Sequence, residues 1–178
     1  QRDPYAFLPW RIGSVIGHEI THGFDDEGRK FDEKGNLKDW WSKQDKARFI
    51  KKAEVLRKQY DGFVAVDDMH VNGKLTLGEN IADLGGLVMA FKAFEKYQKG
   101  KDKKTVDGFT PEQRFFIGYA VAEMSHYRPR ALKKMLVIDT HSPSMFRVNG
   151  PLSNMNEFYE AFDVKRGDKL YRGPKQRA

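Results

Sequence analysis

Five consecutive residues carry the strongest chemical signal in the chain. His18-Glu19-Ile20-Thr21-His22 sets two histidines four positions apart, with a glutamate directly after the first. On a helix, His18 and His22 project from the same face, one turn apart. Two neutral imidazoles so placed can bind one zinc ion, and Glu19 then lies beside the metal, where it can take a proton from a water held there. With His and Glu each at a few per cent of residues, roughly one chain in a hundred or fewer of this length would show the pattern by accident. The competing reading is two histidines and a glutamate on a surface helix. Ile16 and Ile20 predict a buried helix instead, which favours a metal site.

A catalytic zinc takes a third protein ligand and keeps one position open. Glu79, 57 residues after His22, is the best candidate, in Gly78-Glu79-Asn80-Ile81-Ala82-Asp83. Asp83 falls on the same helical face as Glu79 and could accept the remaining N–H of a metal-bound imidazole, fixing its tautomer and orientation. Thr76-x-x-Glu79 is equally a capping box, in which Glu79 would only bond the helix start. Gly85-Gly86 tips the balance toward a ligand. Two glycines in a helix cost about 1 kcal/mol each relative to Ala, so they imply close approach of another backbone, as a helix packed on the His18–His22 helix would require. Asp139-Thr140-His141-Ser142-Pro143 is a third place of interest. An imidazolium held by a carboxylate could stabilise the oxyanion of a tetrahedral intermediate, and Arg147 could grip a substrate carbonyl or carboxylate. An ordinary loop histidine is an equal reading of His141. His70 and His126 have no partner pattern and read as structural.

The elements that must position these groups are mostly helical. Ile12, Val15, Ile16 and Ile20 recur at helical spacing over Ile12–His22, and Gly23 suits the helix end. Phe24 to Trp41 reads as turns with at most a short strand. Ser42 and Asp45 open a helix with a stripe of Ala47, Ile50, Ala53, Leu56 and Tyr60. A long helix is expected from Leu77 to Lys99. Thr110-Pro111 opens another, ending near Arg128 because Pro129 follows. Pro129 can begin a further helix to Ile138. Asp139 to Pro151, rich in Pro, Ser, Asn and Gly, reads as loop, and Ser153 caps a last helix ending near Phe162. The fold class is mainly α with little β.

The 178 residues make one compact domain the default. Lys and Arg exceed Asp and Glu by 32 − 25 = +7, but the positive residues are scattered, so a solvated basic surface is favoured over a nucleic-acid footprint. The absence of cysteine excludes disulfides, thiolate metal sites and cysteine nucleophiles. No apolar run approaches the ~18 residues of a transmembrane helix, and Gln1 to Trp10 shows no signal-peptide pattern.

Val15-Ile16-Gly17-His18-Glu19-Ile20-Thr21-His22-Gly23-Phe24-Asp25-Asp26 resembles the zinc signature of the neprilysin family, which includes endothelin-converting enzymes and bacterial endopeptidase O. The resemblance continues through Asp39-Trp40-Trp41, Leu77 to Asp83, Tyr127-Arg128-Pro129 and His141-Ser142-Pro143, and covers the chain from about Ile12 onward. It implies the helical part of a thermolysin-like metallopeptidase catalytic domain, with one zinc per chain. His18, His22 and Glu79 would be the ligands and Glu19 the general base. Asp83 would orient His18, and Asp139 would orient His141, which stabilises the transition state. Arg147 would bind the substrate backbone on the leaving-group side.

The implied activity is endopeptidase cleavage of peptides and small proteins, usually before large apolar residues. Members of the family are mostly membrane-anchored, secreted or envelope-associated, with some bacterial ones cytosolic. They are several times longer than this chain. The resemblance therefore implies a C-terminal segment whose upstream part supplies a second helical domain and a substrate-binding strand. The absence of cysteine favours a bacterial type, for which a periplasmic or secreted location is expected. Glu123 stands where the family usually has a Trp lining the pocket for the residue after the scissile bond, so an acid there predicts tolerance of a basic residue. The rival readings are a catalytically incompetent fragment, acting only as a zinc-binding or structural module, and a basic nucleic-acid-binding domain. No nucleic-acid partner and no membrane contact from this segment are expected.

Overall fold

The computed structural model describes residues 8–178, so most of the Gln1–Trp10 stretch read for a leader lies outside the described residues. Helix α1 (Leu8–His22) is followed by turns and a single bridge between Phe31 and Leu37, then α2 (Lys43–Asp61). A hairpin, β1 (Val64–Val66) and β2 (Met69–His70), turns through Asp67 at φ +51°. Five helices follow: α3 (Leu77–Gln98), α4 (Pro111–Ala122), α5 (Pro129–Ile138), α6 (Ser144–Leu152) and α7 (Asn156–Phe162). The mainly-α expectation holds among the described residues.

The starts of α2 and α4 follow from their caps. The Ser42 hydroxyl accepts the Asp45 N–H, and Thr110 and Gln113 bond each other's backbone ahead of Pro111. Helix α3 is the spine. One side builds the larger core: Leu87, Ala90, Phe91 and Phe94 meet Phe115, Phe116 and Tyr119 of α4, with Phe91 and Phe116 stacked at 5.0 Å. The other side borders a second core, where Leu56 and Tyr60 of α2 meet Leu136 of α5 and Phe146 of α6, with Ile81 and Leu84 of α3 against them.

Helix α1 lies against α3 through glycine. A Cβ on Gly86 would stand 2.5 Å from the Ser14 carbonyl oxygen and 2.6 Å from the His18 nitrogen, and one on Gly17 would stand 2.9 Å from the Gly86 Cα. These obstacles are backbone, which cannot swing aside. The close approach expected from Gly85-Gly86 is therefore present, and it brings the His18 backbone directly onto α3.

Three expectations are corrected. Helix α4 ends at Ala122 rather than near Arg128. Residues after it leave the helix, and the Ser125 and Tyr127 hydroxyls both meet the Ser144 hydroxyl, at 3.0 and 3.1 Å. Within the Asp139–Pro151 stretch read as loop, residues 144–151 belong to α6. Pro151 cannot donate to the Arg147 carbonyl four residues back, and the Tyr119 hydroxyl donates there instead, at 2.9 Å. Ser153 does not cap α7; Met155 occupies that position, and the Ser153 hydroxyl donates to the Gly150 carbonyl.

Helix α1 also differs from its expected burial. Ile12, Val15, Ile16 and Ile20 are 48–63 % exposed, while Ser14 and Gly17 are buried. The helix rests on α3 through its small residues, and its apolar stripe faces outward.

Candidate metal centre

The geometry of α1 and α3 brings His18, His22 and Glu79 together. One ligand atom from each lies within 4.8 Å of the others, so the three could hold a metal ion. His18 Nε2 is 3.2 Å from Glu79 Oε2, His22 Nε2 is 3.7 Å from Glu79 Oε1, and the two Nε2 atoms are 3.0 Å apart. The capping-box alternative for Glu79 is absent: Thr76 makes no side-chain cap bond. Its hydroxyl instead donates to the Asn72 carbonyl and accepts from Asn80 Nδ2. The Glu79 carboxylate is thereby left to the histidines.

The other ring nitrogen of each imidazole is engaged. His18 Nδ1 meets Asp83 Oδ1 at 2.9 Å, and His22 Nδ1 meets Asp25 Oδ2 at 2.7 Å. In the neutral ring a carboxylate acceptor keeps the proton on Nδ1, so Nε2 is the nitrogen a metal would take in exchange for a second proton. Two such nitrogens facing each other beside a carboxylate call for a cation between them. Glu79 Oε2 is buried and has no hydrogen-bond partner despite the nearby rings. Burial disfavours the charged form of His18, yet Asp83 and then Glu79 outweigh it and push its pKa up to about 9. The cluster draws positive charge, and its N₂O donor set fits zinc.

Around this centre sit the remaining expected residues. His141 Nε2 is 3.2 Å from Glu79 Oε2, and its Nδ1 is 3.0 Å from Asp139 Oδ1, which also accepts the His141 backbone N–H at 2.9 Å. Those bonds, the backbone N–H first, hold the Asp139 carboxyl below the usual range. Arg147, in the first turn of α6, grips Asp83 with two bonds of 2.9 and 2.7 Å. Asp83 is buried, and burial alone would raise its pKa; Arg147 and His18 hold it down instead. One carboxylate therefore ties the arginine to a histidine of the candidate metal centre. His18, Glu19, Asp83, His141 and Arg147 line a cleft of about 230 Å³, together with Tyr119 and Glu123.

Two positioning residues were not legible in the sequence. Asp25 holds His22 with one oxygen and accepts the Glu27 and Gly28 N–H groups with the other, at 2.8 and 2.7 Å. Its place three residues after His22, past Gly23, was the available signal. Asn80 is fully buried, and its Oδ1 accepts the Ser142 hydroxyl at 2.7 Å, pinning the loop that carries His141 to α3. Asn80 follows Glu79 directly, but no local rule pairs it with a serine 62 residues away.

The model of peptidase family M13 matches residues 10–178. The chain belongs to that family. Among curated relatives of this M13 chain, membrane metallo-endopeptidase-like 1 of Homo sapiens is 44% identical over 182 residues, covering 99% of the chain and 23% of the relative. Neprilysin-1 of Caenorhabditis elegans is 43% identical over 175 residues, covering 95% of the chain and 23% of the relative. The crystal structure of the Mycobacterium tuberculosis zinc metalloprotease ZMP1 with an inhibitor superposes with a TM-score of 0.93 at 41% identity, over 98% of this chain and 28% of that one. The chain thus spans about a quarter of the length of the relatives it matches. Among the described residues no helix is long and apolar enough to cross a membrane.

Proposed function

We propose that this M13 chain carries the zinc centre of a metalloendopeptidase that hydrolyses oligopeptides or small proteins. The observation that carries the reading is the convergence of His18, His22 and Glu79 at a cleft lined by Glu19, His141 and Arg147. The ligands would be His18, His22 and Glu79. Zinc held there would supply a Lewis acid for the scissile carbonyl and would lower the pKa of bound water to ~7.

The chain's own groups do the rest. Glu19 takes the proton of the attacking water and delivers it to the leaving amine. His141, aligned by Asp139, donates to the oxyanion as it develops. Arg147, fixed by Asp83, binds the substrate backbone on the leaving-group side. Asp83 acts through His18 and Arg147 rather than on substrate, so Asp83→Asn should cost roughly 10–100-fold in metal affinity or activity, read by zinc titration and peptide hydrolysis in parallel.

The activity belongs to a longer protein in this reading. The chain would be its C-terminal catalytic segment, and the outward Ile12, Val15, Ile16 and Ile20 stripe of α1 would pack against the upstream part. That exposed stripe also favours a second reading, in which the isolated chain binds zinc but turns nothing over. Both are tested by assaying peptide hydrolysis by the complete gene product and by this chain alone, before and after chelation. Hydrolysis by the complete protein that is lost on chelation and restored by zinc is expected. Hydrolysis that survives chelation would contradict the peptidase mechanism, and activity of the isolated chain would contradict the second reading.

A further inference from the structure

Glu123 follows the last residue of α4 as its C-cap, with its side chain on the wall of the same cleft as His18 and Glu19. The charges along that wall are unevenly matched. Asp83 is fully committed, with both oxygens bonded to Arg147 and one also to His18. Glu19 is reserved for proton transfer. Glu123 has only a loose partner among the described residues: its Oε2 stands 3.9 Å from Arg147 Nη1, too far for a hydrogen bond. Arg147 spends its Nε and Nη2 on Asp83, so it cannot turn toward Glu123 without releasing that carboxylate. Glu123 is thus a carboxylate on the cleft wall, one quarter exposed, with acceptor capacity to spare.

Tyr119 does not compete for it. The tyrosine hydroxyl is engaged with the Arg147 carbonyl. The other polar side chains of the cleft are Ser14, which is buried, and His18 and His141, whose ring nitrogens face the carboxylates of Asp83, Asp139 and Glu79. A substrate side chain entering here meets an anion whose hydrogen bonds are unspent. A lysine or arginine would complete it with a charge-assisted bond, a stronger contact than a neutral pair provides. An acidic side chain would face repulsion from Glu123, and a large apolar one would bury the carboxylate against hydrocarbon.

We propose that Glu123 makes this enzyme select a basic residue, lysine or arginine, immediately after the scissile bond. The proposal rests on the peptidase reading above and on Arg147 marking the leaving-group side. Its test uses the complete zinc-loaded protein and a peptide set identical except at the residue after the bond, which is Lys, Arg, Leu, Phe or Glu, with cleavage sites read by mass spectrometry. Lys and Arg peptides should have the higher kcat/KM, and the Glu peptide the lowest. Glu123→Gln should lower the Lys-to-Leu ratio of kcat/KM about tenfold, equivalent to 1.4 kcal/mol, and Glu123→Arg should lift the Glu peptide above the Lys peptide. Ratios within one enzyme preparation are insensitive to how much of a variant folds. An apolar preference that Glu123→Gln leaves unchanged would overturn the proposal while the peptidase reading stands. Absence of cleavage of every peptide by a fully zinc-loaded wild type would overturn that reading, and the proposal with it.

Discussion

Glu19→Gln should bind zinc as the wild type does and lose about 10²–10⁴-fold in kcat, the usual contribution of general acid–base catalysis. The substitution keeps the size and the hydrogen-bonding outline of the side chain but removes its ability to accept a proton. Glu19 lines the cleft beside His18 and lies outside the ligand group formed by His18, His22 and Glu79. Metal content and turnover should therefore separate. Elemental analysis of the variant beside a single-turnover peptide assay measures both. Near-normal turnover in a zinc-loaded variant would remove Glu19 from the mechanism, and loss of zinc with turnover would make it part of the metal site.

Glu79→Ala should fail on the other axis. It removes the one anionic donor of the three, leaving two imidazole donors, with Nε2 atoms 3.0 Å apart, and no ligand charge to offset that of the cation. Outer partners of metal ligands typically cost 10–100-fold in affinity, so removal of a ligand itself should exceed about 100-fold. The variant should still fold, because the Thr76 end of α3 makes no use of the Glu79 side chain. Zinc competition with a chromophoric chelator, alongside circular dichroism, checks this. Unchanged affinity in a folded variant would contradict the assignment of Glu79.

What the sequence showed of the site depended on distance along the chain. His18, Glu19 and His22 lie within one helical turn, so spacing alone defined their geometry. Glu79 and Asp83 were placed by the same periodicity, but the choice between ligand and cap needed the third dimension, where Asn80 and Asn72 engage Thr76 instead. Asp25 and Asn80 were missed because their partners are set by the chain's path and not by a repeat. In the fold, the caps of α2 and α4 were readable because they are local chemistry. Helix α6 was not, since its Pro151 and Gly150 are breakers by propensity. Tyr119 satisfies the carbonyl that Pro151 abandons, and Tyr60 fills the space where a Cβ on Gly150 would stand, 2.1 Å from its hydroxyl. The apolar stripe of α1 was read as buried because periodicity reports which face is apolar and is silent on what covers it.

His18, His22 and Glu79 are expected to hold one zinc per chain. The most direct measurement is zinc per chain by elemental analysis of the purified, undialysed protein, with Glu79→Ala as its companion. One zinc per wild-type chain and a marked deficit in the variant are predicted. A well-folded wild-type chain without zinc, or equal zinc in both proteins, would contradict the claim.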